Sequence, residues 1–360
     1  MALICAIRRS RPWKDAKDPM SRIAICFRLI LLGAFALGAF ALGAFALAAI
    51  AIGTGGSSLP AQAQALVKVR IGKPQAATFP FVPVDVGIAT GIFKKHGLEV
   101  ESIDFAGGPR VQQAITANAV DIAIGSGPEM AFILKGVPEI GIAAMADAPY
   151  AIVLATLKDG PKSVSELKGK TVSISSAGSL TDWLGQNLSR QQGWGIDGIK
   201  LAPLGTTAAQ TAALKTHQID GMIVEANGGY RLEEDGSGRV LVQFGDLMKV
   251  FHVYLLYARR AFAEQNPDGV RAFLAAWFET VTYMNEHRPQ TIDIMRRTAD
   301  VSQFIATRDY DAMIGMFNRT GRFNPEALKV VSRSFLEMGM LPSEPDFGAL
   351  ITEKFLPAGK

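Results

Sequence analysis

The sequence predicts an α/β protein built as two similar units, and three observations carry that prediction. Short apolar runs alternate with helical stretches from Leu66 onward, the pattern of a mainly parallel sheet whose strands are joined by helices. A chain of 360 residues is too long for one small core, so two domains are the default. Residues 112–129 also align without gaps on residues 211–228, an offset of 99. Each copy reads as helix, short turn, aspartate (Asp121 or Asp220), apolar strand and small-residue loop. Of the 18 pairs three are identical: Ala114 with Ala213, Asp121 with Asp220, and Ile124 with Ile223.

Taken in order, residues 67–72 read as a strand, 73–83 as a loop, and the helix that follows ends near Gly91. A second strand at 98–104 runs into the Gly107-Gly108 turn, where Pro109 suits the first turn of a helix reaching Ala117. A third strand at 122–125 leads to Ser126-Gly127-Pro128, and 140–145 and 150–157 are further strands. Beyond the loop at 158–161, strands at 171–175, 199–203 and 221–224 alternate with helices at 181–191 and 207–216. Residues 225–228 continue as a Gly/Asn-rich loop, a strand at 240–244 follows, and the chain then runs through 253–258. After Arg260 the pattern is helical, with Pro267, Pro289 and Pro325 at helix starts.

Charge narrows the function. The first 65 residues hold seven basic and two acidic side chains, whereas the remainder holds 30 basic and 31 acidic, so the body is near neutral and is not a basic nucleic-acid binder. Cys5 and Cys26 lie in that leader, which excludes disulfides, cysteine nucleophiles and thiolate metal sites from the body. The basic start precedes an apolar run at 29–52 containing Gly-Ala-Phe-Ala-Leu three times in tandem. At 24 residues the run is long enough to span a bilayer. Without two of the repeats it has the length of a secretory apolar region, and Ala61-Gln62-Ala63 and Ala63-Gln64-Ala65 fit the small-residue cleavage pattern. Residues 1–65 are therefore expected to be a cleavable signal peptide, starting at Met1 or Met20, that delivers the body to the periplasm. A retained anchor is the alternative.

No catalytic motif survives inspection. Gly169-Lys170-Thr171 lacks the earlier glycine of a phosphate-binding loop, since position 164 is Val, and it precedes a strand instead of opening a helix. His96, His217, His252 and His287 are scattered without metal-ligand spacing and read as surface or helix-end residues. No cofactor or metal is implied. What recurs is a strand, a loop of small or hydroxyl residues and a helix start: Ala76-Ala77-Thr78, Gly107-Gly108-Pro109, Ser126-Gly127-Pro128, Ser176-Ala177-Gly178-Ser179 and Gly205-Thr206-Thr207. Unpaired amides at such turns suit anionic or strongly polar groups. Hydrogen bonds to a charged ligand, about 1.5–3 kcal/mol each, would outweigh a helix dipole of about 0.3–1 kcal/mol. Ordinary Ser/Thr capping is the competing explanation.

Four segments in order carry a family resemblance: Gly91-Ile92-Phe93-Lys94-Lys95-His96-Gly97-Leu98-Glu99-Val100, Ala119-Val120-Asp121-Ile122-Ala123, Ser163-Val164-Ser165-Glu166-Leu167-Lys168-Gly169-Lys170-Thr171 and Phe262-Ala263-Glu264-Gln265-Asn266-Pro267. With them the chain resembles the extracytoplasmic substrate-binding proteins of ABC importers, in the branch handling nitrate, sulfonates, taurine, bicarbonate and thiamine-precursor pyrimidines. The resemblance implies a two-lobed periplasmic-binding fold (type II) with two chain crossings and a ligand cleft between lobes. Lobe one would be 66–157 plus 253–360, and lobe two 158–252. It implies pocket positions at Ala77, Thr78, Phe79, Gly107, Gly108, Ser126, Gly127, Ser176, Gly178, Ser179, Thr206 and Glu225. Arg110, beside the Gly-Gly turn, could pair with an anion, while Glu129 and Glu225 would oppose one if they faced the pocket. A non-catalytic monomeric receptor is implied, delivering a small polar or anionic solute to a membrane permease and its ATPase. The rivals are an enzyme on the same scaffold, which would need a pocket base with a shifted pKa, and a ligand-sensing partner of a membrane receptor.

Overall fold

The computed structural model describes residues 65–75 and 78–358. The apolar run at 29–52 with the leader expected around it, and Ala77, lie outside the described residues. Ten strands follow in chain order: β1 (Val67–Lys73), β2 (Leu98–Asp104), β3 (Ile122–Ser126), β4 (Glu139–Ala146), β5 (Ile152–Leu157), β6 (Thr171–Ile174), β7 (Lys200–Pro203), β8 (Gly221–Glu225), β9 (Gly238–Gln243) and β10 (Tyr254–Arg259). They form two five-stranded sheets, ordered β2-β1-β3-β10-β4 and β7-β6-β8-β5-β9.

The sheets are mixed where mainly parallel ones were expected. In each, three strands run parallel (β2-β1-β3 and β7-β6-β8), and the fourth position is filled by an antiparallel strand, β10 or β5. Because β5 pairs with β8 and β9, the first crossing falls between Ala146 and Ile152 instead of after Leu157. Every residue of β5 is buried, so its apolar sequence suits either sheet and carries no local mark of its lobe. The chain returns after β9, and β10 completes the first sheet, giving the two crossings of the type II arrangement.

Up to the second crossing, the helices are α1 (Val82–Ala89), α2 (Ile92–Lys95), α3 (Gly108–Thr116), α4 (Ala131–Leu134), α5 (Leu180–Gln191), α6 (Thr207–Lys215), α7 (Ala226–Glu234) and α8 (Phe244–Leu247). The Gly/Asn-rich stretch after β8 is thus a helix, not a loop. Its two glycines serve close packing: a Cβ on Gly228 would lie 2.8 Å from Thr207 Cγ2, and one on Gly229 would lie 2.9 Å from both Val153 and Val240. After β10 come α9 (Arg260–Gln265), α10 (Pro267–Glu286), α11 (Arg288–Thr298), α12 (Gln303–Met313) and α13 (Pro325–Glu337). Pro267 and Pro325 open their helices, where a missing N–H costs nothing, and Pro289 is the second residue of α11.

The two crossings are tied to each other. Phe251 N–H donates to Asp147 O (2.8 Å) and Val253 N–H to Ala146 O (3.1 Å). His252, between them, is fully buried, which corrects its expected surface position. Asn324 N–H donates to its Nε2 at 2.9 Å, so Nδ1 carries the proton and donates to Asp147 Oδ1 at 2.8 Å.

The internal repeat marks equivalent places in the two sheets. Asp121 precedes β3 and accepts the Arg70 N–H of β1 (3.1 Å); Asp220 precedes β8 and accepts the Thr171 N–H of β6 (2.9 Å). In return, Asp121 N–H donates to Arg70 O and Asp220 N–H to Thr171 O. The aspartate shared by the repeat therefore locks β1 to β3 in one lobe and β6 to β8 in the other. Burial alone would raise the Asp121 carboxyl, but hydrogen bonds from Arg70 (2.8 Å twice) and Arg259 (2.7 Å) hold it below its ordinary value. Asp121→Ala is expected to lower unfolding stability by about 2–4 kcal/mol, because two guanidinium groups lose a mostly buried partner. Asp220→Ala, at a more exposed site whose ion pair with Lys170 is 3.4 Å long, should lose only about 1 kcal/mol. Urea unfolding of the two variants checks the asymmetry, and equal losses would show that the Arg70 and Arg259 pairs contribute nothing.

Candidate functional site

Loops at the ends of the strands of both sheets meet around one small cavity. The first sheet supplies Pro74 and Gln75 after β1, Gly107 and Gly108 after β2, Ser126 and Glu129 at and after β3, and Tyr254 at the start of β10. The second supplies Ile152 from β5, Ser175, Ser179, Leu180 and Thr181 after β6, and Glu225 at the end of β8. The cavity measures about 30 Å³, room for one or two water molecules. Direct contacts close it: Tyr254 OH donates to Glu225 Oε1 (2.5 Å), and Thr207 Oγ1 donates to Gln75 Oε1 (3.3 Å). Farther out, Glu337 at the end of α13 accepts Trp183 Nε1–H (2.9 Å) and pairs with Arg190 (2.8 Å), both on α5. Trp183 in turn packs on Phe251 of the second crossing, with ring centroids 4.8 Å apart.

The Gly-Gly turn is demanded by close approach. Gly107 adopts φ +96°, and a Cβ there would also lie 2.7 Å from Ser176 Oγ of the opposite lobe. A Cβ on Gly108 would fall 1.7 Å from Glu129 Oε1, so the carboxyl rests on bare backbone. Glu129 is 2% exposed, and its Oε2 accepts the Ser126 N–H at 3.0 Å. Burial pushes it up to about 7 against that hydrogen bond. Glu225 is 3% exposed and is pushed up to about 8 by burial, opposed by the Tyr254 hydroxyl and reinforced by Asp309. Its Oε2 has no hydrogen-bond partner. Among the described residues lining the cavity there are two carboxyls and no lysine, arginine or histidine.

Of the residues expected at the pocket, Gly107, Gly108, Ser126, Ser179 and Glu225 line the cavity. The others have different placements. Phe79 is core, packed on Tyr310 and Phe317 with centroids 5.9 Å away. Thr78 is buried beside it at the start of a 3₁₀ turn, its hydroxyl unpartnered. Gly127 donates to His252 O (3.1 Å) and so belongs to the seam with the second crossing. Arg110 is exposed and reaches only Gln113, at 3.2 Å. Ser176 stands at the lobe boundary opposite Gly107. Gly178 N–H donates to Asp182 Oδ2 (2.8 Å), and exposed Thr206 caps α6 through the Ala209 N–H (3.3 Å). These last two turns are satisfied by their own helices, so capping is what they do.

Sequence reasoning did not place Pro74, Gln75, Ile152, Ser175, Leu180, Thr181 or Tyr254 at the cavity. Ser175, Ser179 and Thr181 form a cluster of hydroxyls 3.0 Å apart. Their density in the sequence was a usable signal. Tyr254 was not recoverable, because its position depends on β10 returning from the other lobe to pair with Ser126.

A curated relative from Bacillus subtilis, named for binding aliphatic sulfonates, is 23% identical over 253 residues, covering 70% of this chain and 75% of the relative. The Escherichia coli periplasmic aliphatic sulphonate-binding protein superposes with a TM-score of 0.66 at 20% identity, over 79% of this chain and 97% of that one. The periplasmic nitrate-binding protein of Synechocystis gives 0.64 at 15% identity, over 81% and 87%. A desulfurization enzyme, DSZB, gives 0.59 at 12%, over 80% and 97%, so the shared fold by itself does not decide between binding and catalysis. The sequence profile described as NMT1/THI5 like matches residues 78–292, more than half of the chain, and the protein belongs to that family.

Proposed function

We propose that this protein is the extracytoplasmic solute-binding component of an ABC importer, a monomer that captures a small polar solute between its lobes and presents the closed form to a membrane permease. One observation carries the reading: a polar cavity to which both lobes contribute, sealed by hydrogen bonds that cross from one lobe to the other. A volume of about 30 Å³ admits no organic solute, so capture needs an opened cleft. The side-by-side crossings at 147–151 and 244–253 supply the hinge for it. Closure stabilises the bound state only as far as the solute is held better by two lobes than by one. Export through the expected leader, and the family to which the chain belongs, support a periplasmic location.

The two lifted carboxyls also give an enzyme reading its required pocket base. Against it, the described lining supplies no cysteine, lysine or histidine to act with such a base. A solute incubated with the protein should be recovered unchanged by mass spectrometry; a converted product would establish catalysis instead.

Glu337→Ala removes the Trp183 and Arg190 contacts that fasten α5 to α13, and should shift the resting population toward the open form. Small-angle scattering is expected to show a larger radius of gyration for the unliganded variant. An unchanged radius would mean that these contacts do not govern closure.

A further inference from the structure

Resting on the solute-binding reading, we propose that closure of the lobes takes up protons, because the carboxyls of Glu225 and Asp309 are sealed without a free cation in the seam where α12 of one lobe lies on α7 of the other. Acid then favours the closed form and alkali the open one.

The seam is built from both lobes. Glu225 ends β8 of the second lobe and reaches Tyr254 of the first, while Asp309 stands on α12 of the first lobe, which packs on α7 of the second. Glu225 is almost wholly buried and Asp309 completely so. Glu225 Oε2 and both oxygens of Asp309 lack hydrogen bonds. Around Glu225 the described lining of the cavity holds no lysine, arginine or histidine, and Asp309 adds a second acid beside it. The cations that act on Asp309 are committed elsewhere. Arg308, its neighbour on α12, is bound by Glu233 of α7 and lies over the Tyr230 ring at 4.0 Å, and Arg231 of α7 donates to Asp300 O at 2.6 Å. Arg288 of α11, which also packs on α12, is held by Asp311 at 2.7 Å, and the turn at Phe79–Phe81 brings no charge.

A carboxyl in such a place keeps its proton, since an unpaired buried charge is the costlier alternative. Burial accordingly pushes Glu225 up to about 8, opposed by the Tyr254 hydroxyl and reinforced by Asp309, and lifts Asp309 well above its ordinary value against Arg308 and Arg231. Parting α7 from α12 admits water to both, and each returns toward the ordinary carboxyl value of about 4. At a pH between the open and closed values, closing binds about one proton per carboxyl, and the closure constant falls about 10-fold per pH unit for each. Other buried groups do not share this dependence. Glu129 faces the cavity but is seated on Gly108 of its own lobe, and Glu139, fully buried at the start of β4, is acted on by Gln112, Glu129 and Arg260, all of the first lobe. Tyr230 and Tyr254 in the seam are raised by burial above their ordinary value and stay neutral up to pH 9.

Small-angle scattering of the unliganded protein from pH 6 to pH 9, with circular dichroism to verify that it stays folded, reads the coupling. The radius of gyration is expected to rise with pH in the wild type or in Glu337→Ala, whose α5–α13 contacts are gone. Glu225→Gln combined with Asp309→Asn keeps the seam neutral and should hold the protein compact at pH 9 in either background. Glu225→Gln alone, the milder change, should remove about half of the pH dependence, and Glu139→Gln should leave it intact. A radius that responds to Glu337→Ala but not to pH overturns the proton coupling and leaves lobe closure standing. So does a rise that persists in the double variant, or one that Glu139→Gln abolishes equally. A radius indifferent both to pH and to Glu337→Ala overturns the coupling together with the hinged receptor reading.

Discussion

The antiparallel strand at the fourth position of each sheet is the constraint from which the cleft follows. β10 enters the first sheet only after the chain has built the second, and β5 opens the second sheet directly after leaving the first. Both connections must pass through the same narrow region, and their mutual hydrogen bonds join them side by side in place of two independent linkers. The same pairing sets Tyr254 beside Ser126 and Ile152 beside Glu225, so the floor of the cavity is built from the strand starts and ends that the crossings bring together. His252 shows how little play that region has: both ring nitrogens are committed, one to Asp147 and the other to Asn324.

Electrostatics inside the cleft run against the most direct expectation. A row of small-residue turns at helix starts invites an anion, and on backbone geometry alone that reading is sound. Side chains add carboxyls to that geometry. Asp182 accepts the Gly178 N–H of one of these turns, and the cavity itself is faced by two buried carboxyls. Desolvation raises both of them, so their cost to stability grows as pH rises above the ordinary carboxyl value of 4.5 and is complete above about 7 to 8.

Much of the scaffold was legible from local pattern. The strands from β1 to β9 announced themselves as apolar runs between turns, and Pro267, Pro289 and Pro325 lie within the first two positions of their helices. The aspartates shared by the repeat were visible as identities before their hydrogen bonds explained them. What was not legible depends on partners distant in sequence. β5 carries no local sign of its lobe, and Gly228 and Gly229 read as a loop because their need for close packing lies in Val153, Thr207, Val224 and Val240. Gly107 and Gly108, read from their turn, and Glu225, implied by the resemblance alone, line the cavity, but Arg110 faces solvent, because a first-turn side chain can point either way and only tertiary packing chooses.

The 99-residue offset has one more implication. It carries Ser126 onto Glu225, each the last residue of its strand and each lining the cavity, while Asp121 and Asp220 keep the same duty in both halves. The fastening of the strands and the lining of the cavity are thus written at separate positions of the repeat. A residue at the tip of one strand can therefore be exchanged, and the cavity wall altered, with the fastening that starts that strand left untouched.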